Sequence, residues 1–157
     1  MYKAVGVLLV FFSGFFIAGR MNKRAENELR LTDSWISLMR YIKGQVECFG
    51  MPLENILSKC DIRLLRELGY KKEKAPKDFS ELIVECDMPD EESMGLIFEY
   101  AKEFGKFYRD EQLKRCNYYI SALEEKRKRE SEKLPQKKRL NATLWIAGSL
   151  AVGILLL

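Results

Sequence analysis

Histidine is absent from this 157-residue chain. With it go the commonest general base, the usual nucleophile triads and every imidazole metal ligand. No G-x-x-x-x-G-K-[ST] or G-x-G-x-x-G stretch is present to cradle a phosphate. The one run of adjacent acids, Asp90 to Glu92, follows Pro89 and suits the first turn of a helix, where carboxylates favour the positive end of the dipole. These absences exclude most enzyme classes and point to a chain that is not an enzyme, with no cofactor and no metal.

Paired cysteine spacings are missing as well. Cys48, Cys60, Cys86 and Cys116 stand far apart with no C-x-x-C, which fits small apolar core residues of a reducing compartment better than zinc ligands or disulfides. No run alternates apolar and polar residues as a strand would. The expectation is an all-α chain.

Charge is missing from both ends. Nothing charged lies between Ala4 and Gly19 or between Asn141 and Leu157, and nearly all charged residues fall between these runs. Sixteen helical residues rise only ~24 Å against a hydrocarbon core of ~30 Å, so each run is expected to be a short transmembrane helix lengthened by its flanks. A cleaved signal peptide fits poorly, because Phe16 stands three residues from the end of Phe16-Ile17-Ala18, where a small side chain is needed. The layout reads as transmembrane helix 4–19, a cytoplasmic helical region 20–139 with a charged juxtamembrane arm, and transmembrane helix 140–157. Both termini are then expected barely to cross the bilayer.

Basic residues beside the spans set that orientation: Arg20, Lys23 and Arg24 after the first, and Lys137, Lys138 and Arg139 before the second. From Lys126 to Arg139 there are eight Lys or Arg against two Glu, without the interleaved aromatics of a nucleic-acid platform. Anionic lipid headgroups are the expected partner of this stretch, and nucleic acid is not. Within the spans, Gly14 and Ala18, Ala147 and Ala151, and Ser149 and Gly153 lie four apart, giving each helix a smooth face for close approach. Whether the spans pair, and whether the chain self-associates, stays open.

Between the spans, Leu31, Trp35, Leu38, Met39, Ile42, Val46 and Phe49 recur every three or four residues, predicting an amphipathic helix that continues from the first span. Gly50 stops it, and Pro52 is expected at the first position of the next helix, with Leu53, Ile56, Leu57 and Cys60 on its apolar face. Asp61 to Gly69 either extends that helix or forms a second short one. Lys71 to Pro76 reads as a solvated loop. Asp78 and Glu81 have capping-box spacing before a short helix, and the helix after Pro89 is expected to bury Met94, Ile97, Phe98, Ala101 and Phe104. In the last helix Leu113, Cys116, Ile120 and Leu123 form a stripe that ends at Leu123. Beyond it the chain is expected to be a solvated arm, broken or kinked at Pro135. The sum is a membrane-anchored helical bundle of about five or six helical pieces with one transmembrane helix at each end. The acidic turn Asp90 to Glu92 and the basic Lys126 to Arg129 are candidate partner surfaces.

This order of parts resembles the stage III sporulation protein AB family of endospore-forming bacteria. The resemblance lies in Ser13 to Arg20 (SGFFIAGR), in Gly50, Pro52 and Leu53, and in Phe104-Gly105 followed by a segment ending at Gln112, then Leu123 and the closing Gly148 to Leu157. Phe107-Tyr108 stands where the family tends to have a Ser-Asp helix cap, which leaves open whether the helix is broken between Gly105 and Tyr108. The resemblance implies a domain similar to the inner-membrane platform proteins of type II secretion and type IV pilus machines. It also implies a place in the mother-cell membrane around the forespore, in a feeding-tube-like channel. The implied partners are other stage III sporulation membrane proteins and a cytoplasmic ATPase, stage III sporulation protein AA. The rival reading is a self-associating membrane-anchored helical tether of the envelope or division machinery, which would need a sustained heptad. Gly50, Pro52, Gly69, Pro76 and Pro89 interrupt any such repeat.

Overall fold

The computed structural model describes residues 2–50 and 52–156, with the side chains at 2–15, 18, 149 and 153–156 outside the description. Among the described residues there are six α-helices and no strand: α1 Tyr2–Phe49, α2 Leu53–Ser58, α3 Ile62–Glu67, α4 Phe79–Glu85, α5 Glu91–Glu103 and α6 Arg109–Leu156. The all-α expectation is met. The chain divides into two compact units, one of residues 28–129 and one of 1–27 with 130–157.

Unit 28–129 is the packed core. The α1 stripe buries Trp35, Leu38, Met39, Ile42 and Val46, against which pack Ile56, Leu57, Leu65, Leu68, Leu82, Ile97, Cys116 and Leu123. Each fully buried side chain of this size contributes roughly 1.5–3 kcal/mol of transfer free energy. Phe49, predicted to belong to the stripe, is 64 % exposed, because the helix ends there and Gly50 turns the chain at φ +57. Buried Thr32 and Ser34 do not strain the core, since each hydroxyl donates to the carbonyl one turn back, at Glu28 and Arg30.

Local signals place the short helices. Pro52 is the N-cap of α2 rather than its first residue; its extended ψ of 151 lets Leu53 start the helix. α3 is a separate helix, capped by Asp61 accepting from the Arg63 N–H. α4 begins as the capping box requires, with Asp78 accepting from the Glu81 N–H at 2.8 Å, but Glu81 reaches past Asp78 to the Lys77 N–H at 3.0 Å. Asp87 joins these parts to α1: its N–H donates to the Leu68 carbonyl at 2.7 Å and its carbonyl accepts from the Trp35 indole at 3.1 Å. Gly69, at φ +85, faces the Asp87 side chain so closely that a Cβ would collide with the carboxylate.

The expected buried face of α5 needs correction, and of the two outcomes expected at Pro135 the break is not the one seen. The buried face of α5 is Ser93, Ile97 and Tyr100, while Phe98 is 47 % exposed. Tyr100 takes the core position because Phe79, Phe104 and Tyr119 meet its ring edge to face at 5.4–5.8 Å, and its hydroxyl finds the Cys116 sulfur at 3.7 Å. Pro135 lies inside α6 without ending it. A proline removes one rung of the ladder, and the neighbouring rungs of a long helix keep the element continuous.

Among the described residues no helix is long and apolar enough to cross a membrane. The predicted span 4–19 falls almost wholly on side chains outside the description, and of 140–157 the side chains at 149 and 153–157 are outside it.

Candidate functional site

The acidic and basic clusters singled out as partner surfaces close on each other. Asp90 caps α5, accepting from the backbone N–H groups of Glu92 and Ser93 and from the Ser93 hydroxyl at 2.8 Å. The oxygen that accepts from the Ser93 hydroxyl also takes the Lys126 ammonium, whose side chain is only 6 % exposed, while the other accepts from the two backbone groups. Just beyond it on α6, Arg127 pairs with Asp33 of α1 at 2.9 Å and Arg129 reaches Glu92 at 3.1 Å. The stretch after Leu123 is therefore not a free solvated arm as far as Arg129. It ties α6 to the start of α5 and to α1, because a lysine can bury its stem and still present its charge to a carboxylate at a helix N-terminus. Burial raises the Asp90 carboxyl, but the Lys126 and Ser93 contacts outweigh it, and the net shift is downward.

The chain between α5 and α6 is broken, at Phe104 to Tyr108, and two resemblance positions hold the break. Gly105, at φ +81, donates its N–H to the side-chain oxygen of buried Gln112 at 2.8 Å. Gln112 thus secures the turn before α6 from inside that helix. Arg109 donates to the carbonyls of Val46 and Glu47, satisfying the last turn of α1. Next to it Arg115 bonds Glu103 at 2.7 Å and stacks over Phe107 at 4.1 Å, while Tyr119 also donates to Glu103. These Arg115 and Tyr119 bonds lower the Glu103 carboxyl. Leu123 is fully buried, Leu53 half-buried, and Gly50 and Pro52 form the exposed turn after α1. Gly50, Pro52, Leu53, Gly105, Gln112 and Leu123 thus occupy structural positions, two turns and a core.

In the other unit, the basic residues predicted to face lipid divide. Lys137 is held by Glu130 at 2.6 Å and Lys138 by Glu26, and Asn141 donates to Asn22 at 3.2 Å. The Glu130 carboxyl is lowered, Lys137 being the main cause. Arg20 lies over the Phe16 ring, and Lys23, Arg24 and Arg139 are exposed. Of the small residues proposed to line the spans, Ala147 and Ala151 are exposed, while Gly14, Ala18, Ser149 and Gly153 lie outside the described side chains.

Two shallow depressions, of about 280 Å³ beside Arg30, Asp33 and Glu67 and about 370 Å³ beside Arg40, Glu47 and Glu124, are lined by mixed charges that offer no activated nucleophile. Among the described residues no group of His, Cys, Asp and Glu could hold a metal ion. Cys86 and Cys116 are buried, and burial pushes the Cys86 thiol up to about 12, which makes it inert. Cys60 is half-buried and raised to about 11, and Cys48 is exposed. No protein-family model, no curated protein and no solved structure matches this chain at a significant level.

Proposed function

We propose that the chain is a non-enzymatic membrane platform of a sporulation channel, a feeding-tube-like secretion apparatus between mother cell and forespore. In this reading 4–19 and 140–157 anchor it in the mother-cell membrane, and the helical region 20–139 docks a cytoplasmic ATPase of the stage III sporulation type to the other membrane members. What supports the assignment to this machine is the order of parts carried by Ser13 to Arg20, Gly50, Pro52, Gly105 and Gln112. The observation that carries the scaffold role is the mutual closure of Asp90 to Glu92 on Lys126 to Arg129, which makes unit 28–129 a braced block instead of a cleft.

The tether reading has one observation in its favour, the two 48-residue helices α1 and α6. Against it, Gly50, Gly69 and Gly105 each turn the chain at positive φ, and four short helices pack between them as a globular unit. Co-purification in detergent of the full-length chain with the neighbouring ATPase tests the platform. Retention of the ATPase by the full chain is expected. No association, together with normal spore formation when the gene is deleted, would overturn the reading.

A further inference from the structure

Charge is segregated along the compact unit. From Arg66 to Lys77 the sequence holds five bases against two acids, and from Asp78 to Phe104 nine acids against one base. Many of these acids are satisfied within the molecule: Asp90 by Lys126, Glu92 by Arg129, Glu103 by Arg115, and Glu81 and Glu85 by Lys72. One face of α5 stays outside this network. Glu91, Gly95, Phe98 and Glu99 are all exposed and, at intervals of four, seven and eight residues, share one side of the helix. Near the end of α4, Val84 is 79 % exposed. A Cβ at Gly95 would meet nothing within 4 Å, so the ground beside Phe98 is open to an incoming side chain.

An exposed ring set among carboxylates suits a particular visitor, a cation on a long aliphatic stem. The stem covers the ring while the head lies over its face or reaches an acid. The chain itself presents such groups: Arg66, Lys71, Lys74 and Lys77 are exposed on the segment just before α4. We propose that the Glu91, Phe98 and Glu99 face of α5 is a self-association surface that takes the basic 66–77 segment of a second copy. The two patches differ, so the contact is head to tail, and it propagates to a ring or filament instead of closing as a symmetric pair. One helix face and one loop fall short of the ~800 Å² per partner of a standard interface, so each junction is weak and salt-sensitive. The junction involves only copies of this chain and is independent of any ATPase.

Sedimentation of the full-length chain in a neutral detergent, at low and high salt, tests it. Concentration-dependent association at low salt is expected. It should fall at least tenfold with Glu91→Lys plus Glu99→Lys, equally with Lys71→Glu plus Lys74→Glu, and several-fold with Phe98→Ser. Mixing the two charge-reversed chains should restore association, because each junction again joins opposite charges. The reversal Glu54→Lys plus Glu132→Lys, at exposed acids outside both patches, should leave association unchanged. All these positions are exposed, so helix content and Trp35 fluorescence serve as the check on folding. A chain that stays monomeric at all concentrations, an α5 reversal without effect, or a mixture of reversed chains that stays apart would each overturn the proposal.

Discussion

Truncating Asp90 should cost more than removing Lys126, although the two form one pair. Asp90→Ala removes the cap of α5, about 1 kcal/mol, and strands an ammonium that is almost wholly buried. Breaking a fully buried pair costs ~3–5 kcal/mol, which must be discounted here because Asp90 is about a third exposed and the Lys126 head can move toward water. The expected total is roughly 2–4 kcal/mol. Lys126→Met keeps the stem volume and leaves Asp90 with the Ser93 hydroxyl, two backbone donors and solvent, so its cost should be ~0–1 kcal/mol. Asp90→Asn, which caps nearly as well, separates the charge from the cap. Urea unfolding read by the fluorescence of buried Trp35, in a Trp145→Phe background, measures all three. With a slope of ~2 kcal/mol per molar, Asp90→Ala should lower the midpoint by about 1–2 M. The Asp90 carboxyl is depressed in the folded chain, so its contribution is complete above the unfolded value of ~3.9 and is lost as pH falls through the folded value. Asp90→Asn should therefore flatten the acid limb of the stability curve below pH ~4. Equal costs for Asp90→Ala and Lys126→Met, or a larger cost for the lysine, would refute the reasoning.

Other outcomes follow from the same geometry. Gly69→Ala should destabilise by roughly 2–3 kcal/mol, since it adds a left-handed backbone to a collision with Asp87, whereas Gly50→Ala, with open space around it, should cost only about 1 kcal/mol; thermal melts of the two compare them directly. Gln112→Ala leaves the Gly105 N–H without its acceptor and should cost ~1–2 kcal/mol, with hydrogen exchange speeding first at residues 104–108. A thiol reagent should modify Cys48 rapidly in the native chain and reach Cys86 and Cys116 only on unfolding; fast native labelling of Cys86 would contradict its burial.

How far the sequence could be read depended on the range of each signal. The α1 stripe and the cap at Asp78 are local, written within four residues, and they appear in the fold close to where the pattern puts them, while Asp90, read as part of a first turn, is the N-cap just before it. Lys126 was hidden because its partner stands 36 residues away, and a lysine inside a charged run looks solvated until that partner is located. Phe98 and Tyr100 exchanged roles for a related reason: hydrophobicity alone favours the phenylalanine, but three aromatic neighbours and the Cys116 sulfur make the inner position fit a tyrosine. The break before α6 shows the same limit, since Gln112 secures Gly105 from seven residues away, beyond the reach of any cap signature.

The membrane-anchored scaffold is tested most directly with the chain's own exposed thiol. Cys48 lies in the region read as cytoplasmic, and a membrane-impermeant maleimide can report which side of the bilayer it faces. The account predicts that the chain stays with the membrane through alkaline carbonate extraction, and that Cys48 is labelled only after the cells are opened. Release by carbonate, or labelling of Cys48 in intact cells, would contradict it.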